Sequence, residues 1–155
     1  MRAKQLKEPA HLLTGRRGED WAADYLRGLR VKVLERNWRP PARLGRVSAL
    51  ELDIVAREGE TLLFAEVKTR AYAPEDPFSP QDAFTPSKQA RLRRAALWYI
   101  HLHDQWSSPC RFDLICVILY PDASRKLEHF KDVLSLQDAQ RGRTPGCSHP
   151  PWQPW

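Results

Sequence analysis

Two short apolar runs carrying ionisable groups constrain this chain most: Glu51-Leu52-Asp53-Ile54-Val55 and Leu62-Leu63-Phe64-Ala65-Glu66-Val67-Lys68, joined across Glu58-Gly59. Runs of this length, rich in branched and aromatic residues and separated by a glycine turn, read as two strands of a hairpin. Side chains alternate between faces along a strand. Glu51 and Asp53 therefore share one face of the first strand, and Glu66 and Lys68 share one face of the second. With the hairpin turning on Glu58-Gly59 and Arg57 opposite Glu60, Asp53 lies opposite Phe64 and Glu51 opposite Glu66. All four polar residues then fall on one face, with Asp53 and Glu66 as diagonal neighbours roughly 7–8 Å apart. Leu52, Ile54, Ala56, Leu63, Ala65 and Val67 fill the other face, which suits packing beneath a helix. A turn longer or shorter by one residue reverses this pairing.

Ionised groups among apolar residues are costly unless paired or bound to a cation. Three carboxylates on one patch repel, and some must take up protons to coexist. A hard dication removes the conflict, because Mg²⁺ prefers carboxylate and water oxygens and bridges to phosphate. A lysine beside it adds positive charge where a phosphoryl transition state builds negative charge, and can orient the attacking water. The spacing thus points to a Mg²⁺- or Mn²⁺-dependent phosphodiester hydrolase site. The competing reading is a surface ion pair between Glu66 and Lys68 on a half-exposed strand, which Glu-x-Lys alone favours. Leu62 and Phe64 on the same face, with Asp53 at a matching position, weigh against it.

The 155 residues make one domain large enough to bury a core. No apolar run approaches the ~20 residues that span a bilayer, and Met1 to Pro9 is polar and basic, unlike a signal peptide. A cytoplasmic protein without membrane association is expected. Cys110, Cys116 and Cys147 are odd in number and lack Cys-x-x-Cys spacing, so neither a disulfide framework nor a zinc site is indicated. The net charge of +6 leans toward a polyanionic partner. Its placement says more: Arg39, Arg43 and Arg46 precede the acidic runs, Arg70 follows them, and Lys88, Arg91, Arg93 and Arg94 crowd the next helix. Cationic flanks around an acidic centre suit a phosphate backbone, although a solvated helix face explains some of these arginines equally well.

Residues 1–14 read as a flexible lead-in, 15–135 as the folded domain and 136–155 as a disordered tail containing Pro, Trp152 and Trp155. Trp21, Ala22, Tyr25, Leu26 and Leu29 form a helical stripe from about Gly15 to Leu29. Glu19 lies at the edge of that stripe, where it can point at the sheet or simply sit as a first-turn acid favoured by the helix dipole. Val31–Asn37 reads as a strand, Trp38–Ala49 and Ala71–Thr85 as loops rich in proline, Pro86–His103 as a helix with Leu92, Ala95, Ala96 and Tyr99 inward. Phe112–Leu119 reads as a central strand and Leu127–Val133 as an edge strand. His101 and His103, two apart, read as surface residues, and no Gly-rich phosphate loop is present. No aromatic platform for stacking bases is legible. The order is an antiparallel meander, a helical crossover and a parallel strand: an α/β fold with a mixed sheet flanked by helices.

Asp53, twelve residues, then Glu66-Val67-Lys68 resembles the signature of the PD-(D/E)xK nuclease superfamily. The wider text is similar to the YraN-like family of endonuclease-like proteins, themselves similar to Holliday-junction resolvases. The matching pieces are Gly18-Glu19, Arg36-Asn37, Glu51-Leu52-Asp53-Ile54-Val55, Phe64-Ala65-Glu66-Val67-Lys68-Thr69-Arg70, Lys88 and Arg111-Phe112-Asp113, over residues 15 to 133. Leu50 stands where the family usually has glycine before the acidic pair, and Trp38–Ala49 is longer than usual. The resemblance implies a restriction-endonuclease-like core (αβββαβ) and a metal-dependent endonuclease acting on DNA, branched or structured DNA included. It implies Asp53, Glu66, Lys68 and the helix acid Glu19 as catalytic residues, and Asp53, Glu66, the Val67 carbonyl and Glu51 as metal ligands. Arg70, Lys88, Arg91, Arg43 and Arg46 are expected to hold phosphates, and the resolvase likeness implies a homodimer; no small-molecule cofactor is expected. A non-catalytic nucleic-acid-binding module and a protein-interaction scaffold are the rival readings.

Overall fold

The computed structural model describes residues 10–42, 50–75, 79 and 84–136, with side chains from Gly15 onward. Its elements are α1 (Ala10–Gly28), β1 (Lys32–Trp38), β2 (Leu52–Glu58), β3 (Thr61–Ala71), α2 (Pro86–Leu102), β4 (Cys110–Leu119) and β5 (Arg125–Leu134). The strands form one five-stranded sheet in the order β1-β2-β3-β4-β5. β1, β2 and β3 make an antiparallel meander. α2 crosses over so that β4 runs parallel to β3, and β5 returns antiparallel as the far edge. This mixed sheet flanked by two helices is an α/β fold consistent with a restriction-endonuclease-like core. Among the described residues no helix is long and apolar enough to cross a membrane.

Each face of the sheet carries its own apolar layer. α1 lays Ala22, Ala23 and Leu26 over Ile54, Ala56, Leu63, Ala65, Val67, Ile115 and Val117. α2 lays Leu92, Ala95, Ala96 and Tyr99 over Val55, Leu62, Phe64, Phe112 and Leu114. Phe64 packs against Phe112 with ring centroids 5.3 Å apart, and against Tyr99 at 5.9 Å. The α2 stripe is the one its spacing predicts, and its start is set by local chemistry. Thr85 caps the helix by accepting the Lys88 N–H at 3.3 Å, and Pro86 fills a first-turn position where no N–H is needed. The central strand β4 is buried on both faces, and Cys116 is fully enclosed within it.

Three local expectations are corrected. α1 begins at Ala10 rather than near Gly15, so residues 10–14 belong to the helix and not to a lead-in; Leu29 lies past its end and is exposed. The hairpin turns on Gly59-Glu60, with Glu58 paired to Thr61 and Val55 to Phe64. Gly59 takes a φ of 57°, the positive value that the first position of such a two-residue turn demands. Relative to the expected register, β2 slides by two residues, which changes partners but not faces. Finally, Leu52 packs in the α2 layer beside Trp38 and not beneath α1, because β2 is only beginning where Trp38 closes β1.

One approach is unusually close. Gly18 sits within α1, and a Cβ there would lie 1.7 Å from Thr69 Oγ1 and 3.0 Å from Thr69 Cβ. Only glycine lets the helix backbone settle this near β3. The contact brings the next residue, Glu19, to the sheet.

Candidate functional site

The paired ladder between β2 and β3 runs from Glu58–Thr61 to Ile54–Ala65. One residue further, the carboxylate of Asp53 accepts the backbone N–H of Val67 at 2.8 Å. A side chain thus takes over a backbone contact at the point where β2 leaves its neighbour. The same step along β3 places Glu66, whose side chain is 4% exposed. A carboxylate this enclosed needs compensation, and two ammonium groups provide it: Lys88 Nζ at 2.8 Å from Glu66 Oε1 and Lys68 Nζ at 3.2 Å from the same atom.

Asp53 and Glu66 form an acidic pair with unequal support. Burial, then the Glu66 carboxylate, and more weakly Glu19, push Asp53 up from 3.8 to about 7, against the Val67 N–H and Lys88, which pull it down. At neutral pH such a carboxyl is poised between its two forms, the condition a bound dication would resolve. The donor chemistry fits Mg²⁺ or Mn²⁺: two carboxylates with an adjacent backbone carbonyl at Val67, all hard oxygens. Among the described residues no three His, Cys, Asp or Glu side chains converge as a ready-made ligand set. That is compatible with Mg²⁺, which commonly takes one or two carboxylates and keeps several waters.

The remaining expected residues fall into three groups. Glu19 reaches the neighbourhood of Asp53 and is held there by Asn37, whose side-chain amide donates to it at 2.9 Å, with Arg36 at 3.8 Å. Glu51 is engaged elsewhere: Arg39 Nη2 binds its carboxylate at 2.7 Å. Arg70 follows Lys68 on the same face and is half-buried, with its charge felt at Cys116. Arg91 is exposed one helical turn beyond Lys88. Arg43 and Arg46 lie outside the described residues.

Sequence reasoning missed two things here. Lys88 is expected among the phosphate contacts, yet its ammonium lies closer to Glu66 than that of Lys68 does. The capped first turn of α2 puts it there, and nothing local to Lys88 announces the contact. Arg36 and Asn37 carry no assigned role in the sequence, yet Asn37 orients Glu19 while Arg36 binds the neighbouring Asp20 at 2.7 Å. A second buried acid, Asp113, is fully enclosed on the neighbouring strand β4, paired with Ala65, and has structural partners only. It accepts from Arg111 Nε at 3.1 Å and the Asp132 N–H at 3.0 Å, and lies 2.8 Å from His129 Nε2. These contacts hold its carboxyl below the usual range against burial. His103 is exposed, as expected, but its ring stacks on Tyr99 at 4.0 Å and reaches Glu35 at 3.2 Å.

The model of "Uncharacterised protein family UPF0102" matches residues 18–117, from Gly18 through β4. A UPF0102 protein of Oleidesulfovibrio alaskensis is 47% identical over 136 residues, covering 88% of this chain and 60% of that relative. A UPF0102 protein of Nitratidesulfovibrio vulgaris is 41% identical over 142 residues, covering 92% of this chain and 95% of the relative. One from Geobacter sulfurreducens is 44% identical over 125 residues, covering 80% and 90% respectively. With the family model spanning well over half its length, this chain belongs to the UPF0102 family, the YraN-like group.

Proposed function

We propose that this protein is a Mg²⁺- or Mn²⁺-dependent endonuclease that hydrolyses phosphodiester bonds in DNA, branched or structured DNA included. The observation that carries the reading is the half-buried Asp53 paired with the buried Glu66 beside Lys68, set where β2 parts from β3. Asp53 and Glu66 would hold the metal, with the Val67 carbonyl as a further oxygen. The ion would supply charge neutralisation at the phosphate and a bound water of lowered pKa. Lys68 has its ammonium on Glu66 and 41% of its side chain exposed, so it can face an incoming phosphate while staying anchored. There it would orient the attacking water and stabilise charge on the pentavalent phosphorus. Lys88 would hold Glu66 in place and, with Arg70 and Arg91, contact the flanking phosphates. Glu19, oriented by Asn37, would act as an auxiliary acid holding water near Asp53.

The test is incubation of the purified protein with supercoiled plasmid and synthetic four-way junctions, with and without Mg²⁺ or Mn²⁺, beside Lys68→Ala and Asp53→Asn. Metal-dependent cutting should fall at least ~100-fold in each variant. Salt-sensitive binding by the wild type without cutting would instead identify a binding module that retains the fold. Absence of both would leave an interaction scaffold.

A further inference from the structure

The face that carries the acidic pair does not end at the pair. Along β3 the residues on that face are Glu66, Lys68 and Arg70, and Tyr72 continues the alternation just past the strand. The Tyr72 N–H donates to the Leu119 carbonyl at 2.7 Å, so the backbone stays in register with β4 to that point. Tyr120 follows β4 in the same way, and the two phenol rings stack with centroids 4.7 Å apart and planes inclined by 30°. Tyr120, half-buried just past the end of β4, covers one side of the Tyr72 ring, whereas Tyr72 is 46% exposed. Lys126, across on β5, lies close enough to Tyr120 to feel its phenol and is itself mostly solvent-exposed, paired with Glu128 at 2.8 Å.

A lone exposed aromatic is ordinary on a protein surface. This one differs in its surroundings. It is braced flat by a second ring, it is reached from the acidic pair by a line of cationic side chains, and it ends that line. From Glu66 to Tyr72 the strand rises roughly 20 Å, a few nucleotides of extended strand. A row of cations leading to a ring with an open face is the construction by which proteins hold single-stranded nucleic acid, because every base offers a π-face for stacking. A base inside a duplex has both faces covered by its neighbours and cannot meet the ring without leaving the stack.

We infer that Tyr72, backed by Tyr120, is a stacking platform for an unpaired nucleotide a short distance from the phosphate at the acidic pair. The inference rests on the nucleic-acid part of the proposed function and specifies its substrate: DNA with unpaired nucleotides next to the contacted phosphate, as in an overhang, flap or open junction. Tyr72 would choose substrates and take no part in bond cleavage. The sequence conceals the platform because Tyr72 and Tyr120 are brought together only by the parallel pairing of β3 with β4.

The test is equilibrium binding by fluorescence anisotropy, without divalent metal, to three DNA probes: a single-stranded oligonucleotide, a duplex with a single-stranded overhang, and a blunt duplex. Tyr72→Ala and Tyr72→Leu should each weaken binding to the first two probes about tenfold and change the blunt duplex less than twofold. Tyr72→Phe should match the wild type. Leucine keeps bulk over Tyr120 but lacks a π-face, so its result separates stacking from mere cover. Equal losses on all three probes, unchanged affinity in both the alanine and leucine variants, a phenylalanine variant as weak as alanine, or no binding of any probe by the wild type would each overturn the inference. Ring-dependent binding without metal-dependent cutting would keep the platform and remove the hydrolytic reading; cutting with ring-independent binding would do the reverse.

Discussion

Replacing Asp53 with asparagine should stabilise the metal-free protein at alkaline pH. In the folded chain the carboxyl is raised from 3.8 to about 7 by burial and the Glu66 charge. An acid whose folded-state pKa exceeds its unfolded value holds its proton more tightly in the native state. Its contribution to stability is therefore greatest below about pH 4 and drains away between pH 4 and 7. About three pH units at ~1.4 kcal/mol each set a ceiling of ~4 kcal/mol. Asp53 is partly open to water, and screening brings the expected figure to about 2 kcal/mol. Asparagine carries no proton to lose. Urea denaturation of both proteins should give nearly equal stabilities at pH 4 and a lead for Asp53→Asn of about 2 kcal/mol at pH 8, or ~4–8 °C in Tm. Taking the difference between the two proteins cancels the opposing titration of Asp113 and Glu58, whose carboxyls are held low and lose their contribution as pH falls. Millimolar Mn²⁺ at pH 8 should raise the wild type and leave the asparagine variant nearly unmoved. A stability difference that does not change between pH 4 and 8, or a variant weaker than wild type at pH 8, would refute the electrostatic account of this pair.

Two further outcomes follow from packing. Gly18→Ala should cost about 1–3 kcal/mol by thermal or urea melts, although alanine is the better helix former by ~1 kcal/mol, because its methyl would strike Thr69. Combining it with Thr69→Ala should recover part of that loss, and a double-mutant cycle showing no coupling would refute the contact as its source. Asp113→Ala should cost about 3–5 kcal/mol, since it leaves the buried His129 ring without its carboxylate and takes one of two acidic partners from Arg111, which keeps only Glu58. A loss below ~1 kcal/mol in urea would contradict the buried network.

The elements of the fold and the faces of the hairpin were legible because period-2 alternation survives errors in pairing. The turn falls at Gly59-Glu60 rather than Glu58-Gly59, yet a slide of two residues keeps the side chains of the paired ladder on their faces, and Asp53 still meets Glu66. Glycine marks a tight turn without saying which of its two corners it occupies. Lys88 was visible as a cation, but its contact with Glu66 depends on how α2 is seated over the sheet, which no local pattern encodes. Glu51 illustrates the converse. It precedes the first residue of β2, and Arg39, on the segment after β1, binds its carboxylate. The start of α1 was misplaced because residues 10–14 lie before the stripe that identifies the helix.

The bond from the Val67 amide to the Asp53 carboxylate gives that residue two jobs at once. It is an acid, and it is also a rivet closing the seam between two strands. An alanine there would remove the charge and spring the seam together, so an inert alanine variant would say nothing about chemistry. Asparagine retains an oxygen for the amide and strips only the ionisable group, so the comparison of the two substitutions separates architecture from reactivity at this position.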